Sequence, residues 1–273
     1  MGLGWLLDLM PEPASAHASA IDDTLGLVHW LMIVLFVGWG AFFAYALVRF
    51  RRSRNPKADP VGVRSKFSTW AEIGVAVIEA VLLIGFSIPL WANRVNLDRF
   101  PPAEESTVVR IVAQQFAWNI WYPGEDGVFG ESKPELVDET DNPLGLDRAN
   151  DEAAKDDLTT INQLHLPVHK PVIVHLSSKD VIHSLNLPHM RIKQDAIPGL
   201  RIPLWFVPIK TTDEMRREIG DPEFNYEIAC AQLCGNSHYS MRGLMTIHDQ
   251  AGFEAWIEEQ KQLLPQGDDF FGF

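Results

Sequence analysis

Two long apolar stretches near the N-terminus limit what this chain can become more than any other feature. From 26 to 48, GLVHWLMIVLFVGWGAFFAYALV carries no formal charge, and at about 1.5 Å per residue a helix of that length crosses a hydrocarbon core of roughly 30 Å. From 73 to 92, IGVAVIEAVLLIGFSIPLWA has a single acid, Glu79, and closes on Pro89 and Trp91 where a membrane interface would lie. Both read as transmembrane helices. An ionisable group in a span is costly toward lipid, so Glu79 is expected to face a neighbouring helix or water. The intervening RFRRSRNPKADPVGVRSK holds seven Lys or Arg against one Asp. Such an excess marks the cytoplasmic side, which sets both termini on the other face. The first twenty residues end in alanine and serine but lack a basic n-region and a full apolar run, so 1–25 read as an external tail rather than a cleaved signal.

Beyond the second span the pattern changes. Residues 93–273 carry 29 acids and 16 bases, a net charge of −13, which argues against nucleic acid and for a basic partner. STVVRIVAQQFAWNIWY, KPVIVHLSS, DVIHSLNLP, RIPLWFVP and EFNYEIAC are short, β-branched and aromatic, with Pro, Gly, Asn or Asp between them. That rhythm predicts an antiparallel β-sandwich or barrel. Phe253, Trp256, Ile257 and Leu264 recur at helical intervals behind Asp249, a suitable N-cap, and predict a short amphipathic helix. From 124 to 157 there are twelve acids, three bases and few large apolar residues, the composition of an irregular surface excursion between strands.

Only one segment concentrates metal-binding residue types. EIACAQLCGNSHYSM contains both cysteines of the chain, Cys230 and Cys234, followed by His238 and Met241. In an external domain two cysteines can form a disulfide, and structural zinc uses shorter spacings with a second ligand pair. Thiolate, imidazole and thioether together are the ligand set of electron-transfer copper, because soft sulfur stabilises the reduced ion while imidazole holds either oxidation state. Two thiolates can each bridge two ions, and each ion then needs its own imidazole. DVIHSLNLP supplies a second one, His183. His165, His169, His175, His189 and His248 have no cysteine nearby and read as ordinary hydrogen-bonded or surface histidines; His17 and His29 are assigned nothing.

Cys-x3-Cys-x3-His-x2-Met with an upstream His, in a β domain behind two membrane helices, resembles cytochrome c oxidase subunit II of the haem-copper oxidase family, with its binuclear CuA centre. KQDAIPG at 193–199 and QQFAWNIWY after the second helix are similar to family segments, and the resemblance covers nearly the whole chain. It implies a membrane-anchored all-β fold: a two-helix transmembrane hairpin at 26–92 with a basic cytoplasmic loop at 49–71, then a cupredoxin-like Greek-key β-sandwich at 93–273 with an acidic insertion at about 124–157. It implies that Cys230 and Cys234 bridge two coppers, that His183 and His238 each bind one, and that Met241 and the backbone carbonyl of Gln232 are further ligands. The implied role is to take electrons from cytochrome c or a related haem c donor and pass them to haem in subunit I, where oxygen is reduced and protons are pumped. No catalytic residue and no haem is expected in this chain. The implied setting is a bacterial inner membrane, with both termini and the copper domain periplasmic. Some relatives carry a fused haem c domain attached through Cys-x-x-Cys-His; without that motif, the expected donor is a separate protein.

The chain departs from the family at two positions. Gln232 stands where the family has Glu, whose carboxylate helps hold magnesium at the junction with subunit I; the copper bond uses backbone oxygen and survives, but magnesium is expected to bind weakly or not at all. Asp195 in KQDAIPG is implied to lie at the same junction. Phe116 occupies the place of the Trp at which electrons enter the family's copper domain, with Trp118 and Trp121 close by as alternatives. Glu72, ahead of the second span at its cytoplasmic end, matches the family acid at the mouth of a proton pathway. Two rival classes remain: a copper-free quinol-oxidase subunit II, which the intact ligand set opposes, and a membrane-anchored copper carrier or sensor, which does not explain paired bridging thiols.

Overall fold

The first helix, α1, spans Ala18–Arg49, and the second, α2, spans Phe67–Val95. A computed structural model describes residues 10–264 apart from 58, 63 and 64, so the outer part of the expected tail, three positions of the basic loop and the last nine residues lie outside the described residues. At 32 and 29 residues, the helices are roughly 48 and 44 Å long, enough to span a bilayer. Phe36, Phe42, Trp70 and Trp91 each expose more than half of their surface, as expected where lipid or other subunits supply the apolar surroundings. Within α2 the turn Leu83–Ser87 is π-helical, just ahead of Pro89. Proline has no N–H to give and its ring crowds the carbonyl four residues back, so the preceding turn widens.

The second unit holds Pro11–Ala18 and the chain from Leu97 onward. Its strands form two five-stranded sheets. One contains β3 (Leu158–Ile161), β2 (Ala117–Tyr122), β1 (Thr107–Gln114), β5 (Val172–Ser178) and β8 (Ile202–Phe206), in that order. The other contains β4 (Gln163–Pro167), β10 (Arg242–His248), β9 (Tyr226–Cys230), β6 (His183–Leu187) and β7 (Ile192–Ala196). Between the sheets lie Ile111, Trp118, Ile120, Leu164, Leu166, Leu176, Leu185, Leu187, Phe206 and Tyr226, all fully buried, each of the aliphatic and aromatic side chains contributing about 1.5–3 kcal/mol. The alternation of β1, buried on every second residue, is the half-buried pattern expected of a sandwich strand.

The sheets are mixed rather than antiparallel, because β1 pairs in parallel with β5 and β4 in parallel with β10. One residue marks the crossover that leads into the second of these pairings. Asn162 separates β3 from β4 with φ 60°, its Oδ1 accepts from Trp118 N at 2.8 Å, and its own N donates to Trp118 O at 2.8 Å. Asparagine tolerates this left-handed conformation, and here the chain leaves one sheet and joins the edge of the other. A crossover between sheets delivers a parallel partner where a tight hairpin would deliver an antiparallel one. The segment STVVRIVAQQFAWNIWY also folds back on itself, with β1 and β2 paired from Arg110↔Trp121 to Gln114↔Ala117 and the turn at Gln115 and Phe116.

The excursion between β2 and β3 is ordered by its own carboxylates and amides. Asp138 Oδ1 accepts from Thr140 N and Asp141 N, Asp156 Oδ2 from Glu125 N, and the buried Asp157 from Gly130 N at 2.8 Å. Leu144, Leu146 and Ala154 form a small second core with Trp121, which projects from the outer face of β2. A short helix, α3, spans Glu152–Lys155, and a second, α4, spans Thr212–Ile219 behind a Thr211/Glu214 capping box.

The last helix, α5, spans Gln250–Gln262 and starts as expected at Asp249, whose side chain accepts from Gly252 N at 2.7 Å. Trp256 packs flat on His165, centroids 4.2 Å apart, and edgewise on Tyr122. His165 Nδ1 lies 2.8 Å from His248 Nε2, so the two imidazoles share one proton. Burial, then the charge of His248, push His165 down to about 4, and burial pushes His248 down against the pull of Asp249 and Asp213. Folded values below the ordinary 6.5 mean that the unfolded chain takes up protons first as pH falls. Stability from this pair is intact above that value and drains between it and about 4. The thermal midpoint should therefore fall across this window, and His165→Phe, which keeps the stack on Trp256, should fall less steeply; equal slopes would remove the pair from the acid response.

Candidate metal centre

The site lies at one end of the sandwich, where β9 ends at Cys230 and β6 begins at His183. These strands pair with Leu185 opposite Cys230, and Ala231 N donates to Ser184 O at 2.9 Å, which carries the ladder one step into the loop. The β9–β10 loop closes at its neck through Cys230 N donating to Met241 O at 3.2 Å, and a 3-10 turn at His238–Ser240 folds it back. One loop thus presents four of the expected side chains and the Gln232 carbonyl; the adjacent strand presents His183.

These donors converge. The sulfurs of Cys230 and Cys234 are 3.8 Å apart, both cysteines are free, and together with the His183 ring they form a group whose ligand atoms lie within 4.8 Å of one another. His183 Nδ1 is 3.9 Å from Cys230 Sγ, His238 Nδ1 is 3.5 Å from Cys234 Sγ, Met241 Sδ is 3.8 Å from Cys234 Sγ, and Gln232 O is 3.2 Å from Cys230 Sγ. His183, Cys234 and Met241 are buried, Cys230 and His238 half-buried, and Gln232 exposed. A soft or borderline first-row metal fits this set of two thiols, two imidazoles, a thioether and a carbonyl. Burial, then the neighbouring Cys230, push the Cys234 thiol up to about 11, so metal binding must release protons from the site.

Two residues not singled out from the sequence organise these donors. Asp180 Oδ1 lies 2.9 Å from His183 Nε2 and also accepts from Val181 N, while Oδ2 accepts from Gln115 N at 2.7 Å. Partial burial would raise the Asp180 carboxyl, but the His183 contact and the two backbone donors outweigh it and hold it below its ordinary range. An ionised carboxylate only accepts, so His183 carries its proton on Nε2 and turns the bare Nδ1 lone pair toward the sulfurs. Gln115 Nε2 then donates to Cys234 O at 2.6 Å. Spacing offered one signal for this, since Asp180 stands three residues before His183 in KDVIH; Gln115, on the β1–β2 turn, left none.

The remaining expected residues divide. Phe116 packs on the loop at Gly235, where φ is 137° and an added Cβ would lie 3.0 Å from the Phe116 ring and 2.8 Å from Gln115 Nε2. Trp118 is fully buried, its ring 6.3 Å from that of His183 and edge-on. Trp121 lies on the opposite face of β2, beneath the excursion and away from the sulfurs. Asp195 is exposed on β7, paired across the ladder with Ser184. Glu72 and Glu79 belong to α2 in the other unit.

A family model described as cytochrome c oxidase subunit II, periplasmic domain, matches residues 107–247. An alternative cytochrome c oxidase subunit 2 from Bradyrhizobium diazoefficiens is 32% identical over 91% of this chain and 83% of its own length. A cytochrome c oxidase subunit 2 from Cereibacter sphaeroides is 27% identical over 86% of this chain and 76% of its own length. Among solved structures, the periplasmic domain of subunit II of cytochrome oxidase from Bradyrhizobium japonicum is 27% identical, covering 60% of this chain and 99% of its own, with a TM-score of 0.41.

The role assigned to Asp180 has a direct consequence. Asp180→Asn keeps the size of the side chain but removes the full acceptor charge behind His183, so metal affinity should fall about 10- to 100-fold in competition with a chelator. Unchanged affinity would mean that packing alone orients His183.

Proposed function

This chain belongs to the cytochrome c oxidase subunit II family, and we propose that it accepts electrons from a cytochrome c or related haem c donor at a binuclear CuA centre and hands them to haem in subunit I. As a family member it is a membrane-anchored component of a terminal oxidase with a periplasmic β domain, and an oxidoreductase subunit rather than a complete enzyme. The observation that carries the proposal is the convergence of His183, Cys230, the Gln232 carbonyl, Cys234, His238 and Met241 at one end of a rigid sandwich.

Copper held by His183, Cys230, the Gln232 carbonyl, Cys234, His238 and Met241 would supply one-electron transfer there. The chain's own residues prepare for this. Asp180 fixes the His183 ring and Gln115 fixes the loop carbonyl of Cys234, so the donors need little movement on either redox change. Buried His183, Cys234 and Met241 keep water from one side, while half-buried His238 leaves the other within reach of a partner. Beside it, Leu233 and Tyr239 are 78% and 84% exposed, an apolar contact surface suited to a transient electron-transfer encounter. Phe116 against Gly235 and Trp118 against His183 support an aromatic route to the centre, whereas Trp121 is better suited to packing. The net charge of −13 over 93–273 would steer a basic donor.

The proposal extends to three further features. The basic loop faces the cytoplasm of a bacterial inner membrane, both termini and the β domain face the periplasm, and Glu72 helps load protons from the cytoplasmic side. At the junction with subunit I, magnesium is held weakly or not at all, since the exposed Gln232 amide brings no charge and the acid left to compensate, Asp195, lies on β7, with β6 between it and β9.

A substitution series separates the role of the two thiols from that of the Met241 thioether. Cys230→Ser or Cys234→Ser should abolish the copper pair and cytochrome c oxidation by the assembled oxidase. Met241→Leu should keep two coppers per chain by metal analysis and slow electron transfer. A serine variant that keeps both coppers and full activity would sink the bridging assignment.

A further inference from the structure

The outer face of the first sheet holds a cavity of about 360 Å³ that takes no part in the metal centre. Its floor is a cross-strand row, Trp121, Arg110 and His175, with Arg110 paired to Trp121 on one side and to His175 on the other; Val112 and Ser177 form the next row. Arg201, immediately before β8, completes one rim. The other wall is the acidic excursion, through Val137 and Leu144, held down by Lys179, whose Nζ donates to Glu139 Oε1 at 2.9 Å and to Pro143 O at 2.9 Å.

What distinguishes this cavity is its charge. The domain is strongly acidic, and Lys133, Lys155, Lys179, Lys210, Arg216, Arg242 and Lys261 each hold a carboxylate. Among the described residues Arg110 and Arg201, like Arg99, Arg148, Lys170, Lys193 and Arg217, make no such ion pair, but these two line one cavity, and Asp157 favours the charge of Arg110 through space. Arg110 sits in the corner formed by Trp121 at 4.6 Å and Phe129 at 4.1 Å, whose rings meet edge to face, and its buried Nε has no hydrogen-bond partner. Burial, then Arg201, lower Arg110 to about 10, and burial, then the two guanidiniums, push His175 down. Two guanidiniums that repel each other in a recess, with carboxylates plentiful nearby, lack the anion that would relieve them.

We infer that this cavity binds the oxyanion group of a small organic anion, a phosphate or carboxylate on a flat apolar body. The N–H edges of Arg110 and Arg201 grip the oxyanion, which suits the guanidinium fork. Ser177 and neutral His175 offer hydrogen bonds, and Val112, Val137 and Leu144 cover the body. The excursion's function is then to wall a ligand site, which accounts for a long connection kept in order by so many side-chain turns.

Calorimetric titration of the purified full chain and of the assembled oxidase, at fixed ionic strength in chloride, tests this with phenyl phosphate, benzoate and inorganic phosphate. One saturable site is expected for phenyl phosphate or benzoate, the tighter of the two identifying the oxyanion, with inorganic phosphate weaker for want of the apolar body. Arg201→Gln, at an exposed position outside the strands, should weaken binding at least about tenfold, the loss expected for a charge-assisted hydrogen bond, and Arg110→Gln should weaken it further. No saturable binding, or binding indifferent to Arg201→Gln, would overturn the proposal. So would binding to the isolated chain that vanishes in the assembled oxidase, because another subunit's side chain would then fill the cavity.

Discussion

The carboxylate of Asp180 joins three loops at one end of the sandwich, and the candidate metal centre depends on that junction. Its oxygens receive His183 from β6, Gln115 N from the β1–β2 turn and Val181 N from its own loop, and Gln115 carries the connection to Cys234 O in the β9–β10 loop. Soft donors do not gather by themselves: without metal, two thiols, an imidazole and a thioether gain little from meeting. Backbone and carboxylate hydrogen bonds assemble them in advance, and the sheets beneath provide the rigidity. For the proposed centre, such an arrangement would lower what the protein must reorganise on metal binding and charge movement, because these hydrogen bonds already fix ring orientation and loop path.

Acidity serves two separate ends in this domain. Much of it is spent on local architecture, where Asp138, Asp147, Asp151, Asp156 and Asp157 accept backbone or side-chain hydrogen bonds and hold the excursion against the outer sheet face. The exposed ion pairs add little to stability, roughly 0–1 kcal/mol each, so the excess charge is better understood as a field acting on partners. Against that field the cluster of Arg110, His175 and Arg201 stands out, and the same excursion that contributes acid to the surface encloses it.

The segments legible in the sequence were those with strong local rules. Twenty apolar residues in a row forecast a membrane span, and a dense loop of Cys, His and Met forecasts a cluster of metal-binding side chains, because in each the chemistry is contained in the segment. Asp249 and the Phe253, Trp256, Ile257 spacing gave α5 for the same reason. What escaped was set by contacts distant in sequence. The short strands β3, β4 and β7 are too brief and too polar to show a period, and β10 is masked by the loop it follows. The parallel pairing of β4 with β10 follows the change of sheet at Asn162, and the hairpin at Gln115 and Phe116 interrupts what reads as one continuous strand. Gln115 holds the Cys234 carbonyl only because the fold brings it to a residue 119 positions along the chain.

The central claim is that the six donors hold two coppers as one electronic unit rather than one copper, or two independent ones. Electron paramagnetic resonance of the copper-loaded full chain, poised with one electron added to the oxidised pair, tests it most directly. Hyperfine structure from a single unpaired electron shared equally by two copper nuclei is expected. A spectrum with coupling to one copper nucleus alone would contradict it.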